Sequence, residues 1–353
     1  MRTTRRRTPI AGTAIAEGTP VRRSAAAGPS TELRARRSIQ MTSISPGPPT
    51  DIPHASLWAL VLAGGDGTRL QGVTQIIAGA PIPKQYCRIL GPRSLLERTL
   101  SRIAPLISVE RTLAIINRDH VPIARSQVRS LDPRNVLVQP RNLDTGPGVL
   151  VSMLELARRA PDATVAVFPS DHYVRDSHAF RRIIARMRRV VRRLPRKIAL
   201  LGVRPERADG GYGYITPGRP LGYSRDTFAV RAFHEKPDTS AAAEMVRQGA
   251  LWNSLIMVAR VGRVVELLRD LRPADVALLE ETPLDPAALA TVYDRLRAWN
   301  FSHEFLGRIP QHLVVTRADD LGWSDWGTPE AIERAFAAIG MVPPWRQSAE
   351  AAS

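Results

Sequence analysis

From Leu57 onward, short apolar runs alternate with longer stretches whose apolar residues recur every three or four positions. The runs at 57–63, 112–116, 135–138, 164–168 and 198–203 predict buried strands. The periodic stretches at 94–103, 121–129, 148–159 and 177–193 predict helices. Such alternation is the signature of an α/β fold, a mainly parallel sheet with helices on both faces. After Gly202 the texture changes. Segments 210–215 and 227–235 predict strands that leave and re-enter the sheet, followed by a helix at 240–248 and a strand at 251–258. Residues 260–305 read as mostly helical, 314–316 as a short strand, 322–327 as a loop and 329–339 as an amphipathic helix. The expected organisation is a core over 57–262, a mainly helical C-terminal part over 263–340 that completes the site, and a tail over 341–353. Residues 1–56 carry no apolar period and are rich in Arg, Ala, Pro, Ser and Thr, so they are expected to be disordered.

Charge and composition narrow the classes. The net charge of +17 invites a nucleic-acid reading. Residues 1–40, however, hold nine Arg and two Glu, which accounts for +7 of it. Eight more arginines fall between 181 and 196, with Ile183, Ile184, Met187, Val190 and Val191 between them and no aromatic residue to stack on a base. They predict the solvated face of a helix, and a nucleic-acid partner is not expected. No run of about 18 apolar residues suggests a membrane span. The single cysteine, Cys87, has no neighbouring His and reads as buried filler in a protein of the reducing cytoplasm. Of 50 basic residues only Lys84, Lys197 and Lys236 are lysine. Where arginine serves nearly everywhere, a retained lysine hints at a site that needs a compact point charge.

The candidate chemistry begins at 60–70, L-V-L-A-G-G-D-G-T-R-L. A strand runs into three glycines within four residues (Gly64, Gly65, Gly67), a loop whose backbone N–H groups can converge on an anion. It lacks the G-K-[S/T] of a P-loop and the third glycine of a dinucleotide fingerprint, so both are excluded. With Arg69 and Pro83-Lys84-Gln85 behind it, the loop resembles the signature of sugar-1-phosphate nucleotidyltransferases, most closely the mannose-1-phosphate guanylyltransferases. Further motifs follow in order. Val167-Phe168-Pro169-Ser170-Asp171-His172, Gly211-Tyr212-Gly213-Tyr214-Ile215, Phe233-His234-Glu235-Lys236-Pro237, Trp252-Asn253-Ser254 and Gly322-Trp323-Ser324-Asp325 extend the likeness over most of 57–340.

That resemblance implies a Rossmann-like sheet of the nucleotide-diphospho-sugar transferase type with a small helical C-terminal portion. It implies transfer of a nucleotidyl group from an NTP, GTP first, to a sugar 1-phosphate, mannose 1-phosphate first, with Mg²⁺ as cofactor. The implied catalytic residues are Arg69, Lys84, Asp171 and Lys236, with Asp171 and Asp325 as metal ligands. The nucleotide would lie against Leu62, Ala63, Gly64, Gly65, Gly67, Thr68, Asp144, Thr145 and Pro147, and the sugar phosphate against Gly213, Glu235, Lys236 and Asn253. Taken singly, most of these have duller readings. An Asp after a strand is more often a cap, Glu235-Lys236 a solvated pair, the paired glycines hairpin punctuation, and Trp252, Trp323 and Trp326 packing.

Several positions depart from the family pattern. Leu143 and Asp144 align without gaps where guanylyltransferases carry Arg-Asn. An Asp144 carboxylate matching the two donors on guanine is one reading. Leu255 stands where glycine is usual, and 75–83 is expected to form an enlarged lid. Segment 301–307 matches only loosely. The chain stops soon after Ile339, too early for an appended β-helix or isomerase domain, and a homodimer stays open. Alternatives are the same chemistry with another NTP or hexose 1-phosphate, or a catalytically silent homologue that binds a nucleotide sugar.

Overall fold

The computed structural model describes residues 56–346 except Tyr223 and Leu284. The expected extension over 1–56, apart from Ser56, and the end of the tail lie outside the described residues.

Eleven strands are described: β1 (Leu57–Ala63), β2 (Thr112–Asn117), β3 (Val136–Gln139), β4 (Thr164–Pro169), β5 (Tyr173–Val174), β6 (Ile198–Val203), β7 (Gly213–Leu221), β8 (Ser224–Glu235), β9 (Leu251–Arg260), β10 (Leu313–Ala318) and β11 (Trp323–Ser324). Nine of them form one sheet in the order β3-β2-β1-β4-β9-β6-β10-β8-β7, and β11 pairs with β5 as a two-stranded ribbon. The pairings β3–β2, β2–β1, β1–β4 and β6–β10 are parallel. β9 runs antiparallel to β4, β6 and β7, and β8 antiparallel to β10 and β7. Only β8 and β9 are reversed among the nine, so the mixed sheet is mainly parallel, as the alternation implies.

The helices are α1 (Gln71–Ala78), α2 (Leu95–Ile103), α3 (Val121–Ala124), α4 (Thr145–Arg159), α5 (Ser177–Arg193), α6 (Thr239–Arg247), α7 (Val261–Leu271), α8 (Pro273–Glu280), α9 (Pro286–Arg295), α10 (Phe301–Glu304) and α11 (Pro329–Ala337). They cover both faces. One core packs α4 and α7 against Leu60, Val165 and Leu200, and the other packs α2 and α5 against Val61, Phe168 and Leu201. Alternation along β1 sends Leu60 to the first and Val61 to the second. α5 buries Phe180, Ile183, Ile184, Met187, Val190 and Val191 and turns its arginines outward, in line with the expected solvated face.

Some boundaries differ from expectation. The 121–129 helix stops at Ala124, where Gln127 turns inward, its amide donating to the Tyr86 carbonyl (3.0 Å) and its Oε1 accepting from Ser94 Oγ (2.6 Å). The anticipated lid at 75–83 begins as the end of α1, which closes at Gly79 with φ 72°. The 322–327 loop contains β11. Cys87 is buried, and burial pushes its thiol up to about 11, which suits filler better than a nucleophile.

Candidate active site

β1 ends at Ala63 and hands the chain to the glycine loop at the carboxyl rim of the parallel strands, where open α/β sheets bind ligands. The loop is moulded by its neighbours. Gln85 Nε2 donates to the carbonyls of Ala63 (3.2 Å) and Gly65 (2.6 Å), and the Tyr86 hydroxyl donates to Ala63 as well (2.8 Å). Gly67 takes φ 62°, and a Cβ there would lie 3.0 Å from the Lys84 amide nitrogen. A Cβ on Gly64 would strike Gln139 Nε2 at 2.5 Å. Beyond the loop opens a cleft of about 480 Å³ whose walls include Leu62, Gly65, Asp144, Thr145, Asp171 and Leu255.

The wall opposite the loop is the N-terminus of α4. Asp144 caps it with φ 64° and ψ −170°, a backbone region that essentially only glycine adopts freely, so the turn holds Asp144 under strain. Its Oδ1 accepts from the Thr145 amide (2.6 Å), and Asn300 Nδ2 reaches Oδ1 at 3.2 Å and Oδ2 at 3.4 Å. Asp144 therefore lines the cleft, but its carboxylate already serves as a cap. Asn142 accepts from the Asp144 amide (3.0 Å) and donates to Asp66 Oδ2 (2.9 Å). Asn117 donates to Asp66 Oδ1 (3.3 Å), so the acidic residue inside the glycine loop is tied to β2 and to the α4 entry. Trp299 clamps the same turn. Its carbonyl accepts from the Gly146 amide (3.0 Å), and its ring leaves no room for a Cβ on Gly146.

Asp171 follows β4 and Asp325 follows β11, and Lys84 joins the two. Its ammonium makes a 3.2 Å ion pair with Asp171 Oδ2 and donates to the backbone carbonyls of Asp325 and, at 3.0 Å, Trp326. Burial by itself would push the Asp171 carboxyl up, but the Lys84 ammonium and His172 outweigh it and hold Asp171 below its usual range. Burial drives His172 down, toward the neutral ring. The Trp323 indole donates to His172 Nδ1 (3.3 Å), which leaves the proton on Nε2, 3.6 Å from Asp171 Oδ1. Asp325 Oδ1 accepts from the Tyr212 hydroxyl (2.6 Å) and the Gly327 amide (3.0 Å), leaving Oδ2 with no hydrogen-bond donor among the described residues. Burial and the adjacent Asp325 charge push the Tyr212 hydroxyl far up, so it remains a donor.

Among the described residues, no three His, Cys, Asp or Glu side chains gather around one point. The donors that do meet here are two carboxylates, hard oxygens of the kind Mg²⁺ prefers. They fit such a cation in company with substrate phosphate oxygens.

On the far side of β9 lie the sugar candidates. A Cβ on Gly213 would meet Glu235 Oε2 at 2.5 Å and Asn253 Cβ at 3.3 Å, so the three are in direct contact. Asn253 Nδ2 donates to Ser302 Oγ (3.3 Å), and its Oδ1 accepts from the Leu255 amide (3.1 Å). Burial raises the Glu235 carboxyl, partly offset by Lys236. Lys236 is exposed, with φ 48°, and its amide N–H donates a hydrogen bond to the Tyr212 carbonyl (3.2 Å). Leu255, at a position where the family pattern has glycine, takes φ 57°, the backbone glycine adopts freely.

Of the residues expected at the nucleotide, Leu62, Gly64, Gly65, Asp144 and Thr145 share the cleft with Asp171. Ala63 and Pro147 are buried behind it, and Thr68 and Arg69 stand exposed on the following 3-10 turn. Lys84, expected to hold phosphates, is buried and engaged with protein acceptors. Asp66, Asn142, Tyr212, Trp299, Asn300 and Ser302 went unassigned in sequence. Asp66 lay in plain view inside the glycine motif, and Tyr212 inside G-Y-G-Y-I. Trp252, Trp323 and Trp326 are packing residues, with Trp252 stacked on Tyr212 and Trp326 on Tyr173.

Comparison with known proteins bears on the family and the fold. Residues 58–341 match the model of the family described as nucleotidyl transferase. The xanthan biosynthesis protein XanB of Xanthomonas campestris pv. campestris (strain B100) is 32% identical over 278 residues, 76% of this chain and 57% of that protein. The mannose-1-phosphate guanylyltransferase of Escherichia coli (strain K12) is 28% identical over 293 residues, 78% of this chain and 59% of that protein. The chain thus spans somewhat over half the length of the curated relatives it matches. Among solved structures, the mannose-1-phosphate geranyltransferase of Thermus thermophilus superposes with a TM-score of 0.71 at 31% identity, over 80% of this chain and 79% of that one. A mannose-6-phosphate isomerase from Helicobacter pylori, at 19% identity and TM-score 0.60 over 76% of this chain and 99% of that one, shares the fold. With most of its length matched by the family model, the chain belongs to the nucleotidyl transferase family.

Proposed function

We propose that the chain couples an NTP to a sugar 1-phosphate, giving a nucleotide sugar and pyrophosphate, with GTP and mannose 1-phosphate as the pair of first choice. The observation that supports the reading is a glycine-lined cleft that holds Asp171, together with the contact group of Gly213, Glu235 and Asn253, the last on the same strand β9 that contributes Leu255 to the cleft. In this reading the cleft takes the NTP, and the group around Gly213 takes the sugar 1-phosphate. The choice of guanine and mannose rests on the named relatives.

In this reading the phosphate oxygen of the sugar 1-phosphate attacks the α-phosphorus in line. The bond from that phosphorus to the α–β bridging oxygen breaks, and pyrophosphate leaves with the electron pair. The nucleophile is already anionic, so no base need remove a proton. Positioning and charge neutralisation supply the rate. The glycine-loop amides receive the NTP phosphates, Arg69 swings in from its exposed turn, and Lys236 meets the sugar phosphate. Glu235 and Asn253 accept and donate to sugar hydroxyls. Asp171 and Asp325 would hold Mg²⁺, which when bound neutralises charge developing on the phosphate oxygens. His172, neutral and pinned by Trp323, fixes the orientation of Asp171. Asp144 Oδ2, with one long bond, is the oxygen left to meet a donor on the base.

The test is pyrophosphate release by the purified chain with four NTPs and a panel of hexose 1-phosphates. GTP with mannose 1-phosphate should turn over fastest. Release from another pair only would move the specificity, and release from none would favour a silent nucleotide-sugar-binding homologue.

A further inference from the structure

A second cavity, of about 580 Å³, lies between α2, β5 and the start of α5. Its lining includes Arg93, Arg98, Arg102, Arg175 and Arg181, with no Asp or Glu among the described residues. Arg102 is 7% exposed, Arg98 and Arg181 are half-buried, and Arg93 and Arg175 are exposed. The partners these side chains have are neutral. Arg93 donates to Ser101 Oγ (3.1 Å), Arg98 to the Leu90 carbonyl and Arg102 to Thr99 Oγ1 (3.5 Å). The Nε atoms of Arg98 and Arg102 are buried with no hydrogen-bond partner among the described residues. Asp176, next to Arg175 in sequence, is taken up in capping α5.

A buried charge is ordinarily paired, because losing water is costly and an opposite charge offsets the loss. Here burial and the neighbouring Arg98 push the Arg102 guanidinium down to about 10. Like charges face one another across the cavity wall with nothing opposite between them. The Phe180 ring under Arg102, 5.4 Å away, eases the burial but carries no net charge.

We propose that this cavity is an anion site separate from the candidate active site, and that it takes a small phosphate-bearing molecule. Guanidinium groups present paired N–H donors that match phosphate oxygens, and five on one cavity suit a ligand with more than one negative charge. A concave cavity favours a small molecule over a polymer. Its aromatic member, Tyr173, is already stacked on Trp326, so it offers a nucleic acid no platform for a base. The site also adjoins the rim. Tyr173 and Val174 form β5, which follows Asp171 and pairs with β11, and β11 leads into Asp325. Thr99, the partner of Arg102, donates to the Ser170 carbonyl beside Asp171 (3.5 Å). A seated anion would press on the ribbon that joins the two rim carboxylates.

The test uses pyrophosphate and inorganic phosphate as probes, in metal-free buffer without other multivalent anions. A ligand that binds the folded state raises Tm, and pyrophosphate should raise it by about 3 °C near saturation. Sodium chloride at the same ionic strength should not, which separates a site from screening of the net charge of +17. Arg175→Gln combined with Arg181→Gln should weaken pyrophosphate binding about tenfold or more in calorimetry, with GTP affinity in EDTA held within about twofold. Arg102→Met removes the buried charge at similar volume and should abolish the Tm response. If that variant does not fold, the double variant decides. No rise in wild type, an equal rise with sodium chloride, a wild-type response in the double variant, or a parallel loss of GTP binding overturns the proposal. The site stands apart from the proposed reaction: turnover can fail with every substrate pair while the Tm response to pyrophosphate is intact.

Discussion

Glu235 lies between Lys236 and the Gly213 backbone, and burial raises its carboxyl above the ordinary 4.5. A carboxyl raised by folding favours the protonated form in the native state. Its stabilising share is whole below the unfolded value and is lost as pH climbs through the folded one. Glu235→Gln should therefore gain thermal stability relative to wild type as pH rises above about 4.5, read as a widening gap in Tm. Asp171 has the opposite sense, since its Lys84 partner favours the charged form. Asp171→Asn keeps the shape and removes the charge. Pyrophosphate release should fall by about two to three orders of magnitude, the scale of losing one electrostatic group at a reacting centre. Turnover at the wild-type rate would remove Asp171 from the metal site.

At the scale of elements, two predictions separate a helix that supports the site from one that forms it. Asp176 caps α5 by accepting from the His178 (2.9 Å) and Ala179 (2.8 Å) amides, and Asp176→Ala should lower the denaturant midpoint without altering KM. Gly146→Ala places a Cβ 2.1 Å from the Trp299 ring. It should cost about 1–3 kcal/mol by overpacking. It should also depress kcat/KM, because Trp299 leads into Asn300 and Ser302, which touch Asp144 and Asn253. The strands that sequence placed well, β1, β4 and β6, are runs whose every residue faces packed neighbours, so composition alone marks them. The Trp299–Gly146 clamp and the Asn253–Ser302 bond were illegible for the opposite reason. They join residues far apart in the chain by shape, and no local pattern of hydrophobicity or capping records that. Lys84 is the intermediate case, where its type signalled a special need but its three partners, two of them backbone carbonyls, left no trace in residue identity.

In the proposed reading the whole molecule keeps its cation chemistry apart from its stability. Asp171 is already paired with Lys84, and one oxygen of Asp325 is bonded to Tyr212 and Gly327, so folding should not wait for a metal. EDTA should abolish turnover and shift Tm by less than about 2 °C, a change near the smallest that a stability difference of this scale produces. The reversed strand β9 has a wider consequence. It is hydrogen-bonded to β4, β6 and β7, and so stitches the half of the sheet that carries the glycine loop to the half that carries Gly213 and Glu235. Bending at that seam would break ladder bonds on both sides at once, which makes a clamshell motion of the halves expensive. Any squeezing of the substrates together then falls to the rim: the glycine loop, the turn bearing Arg69 and the segment around Asn300. Amide exchange should be slowest along β9 and unaffected by substrate, with the protection gained on binding confined to those rim segments. On that expectation the two halves serve as an anvil, and the loops above it do the moving.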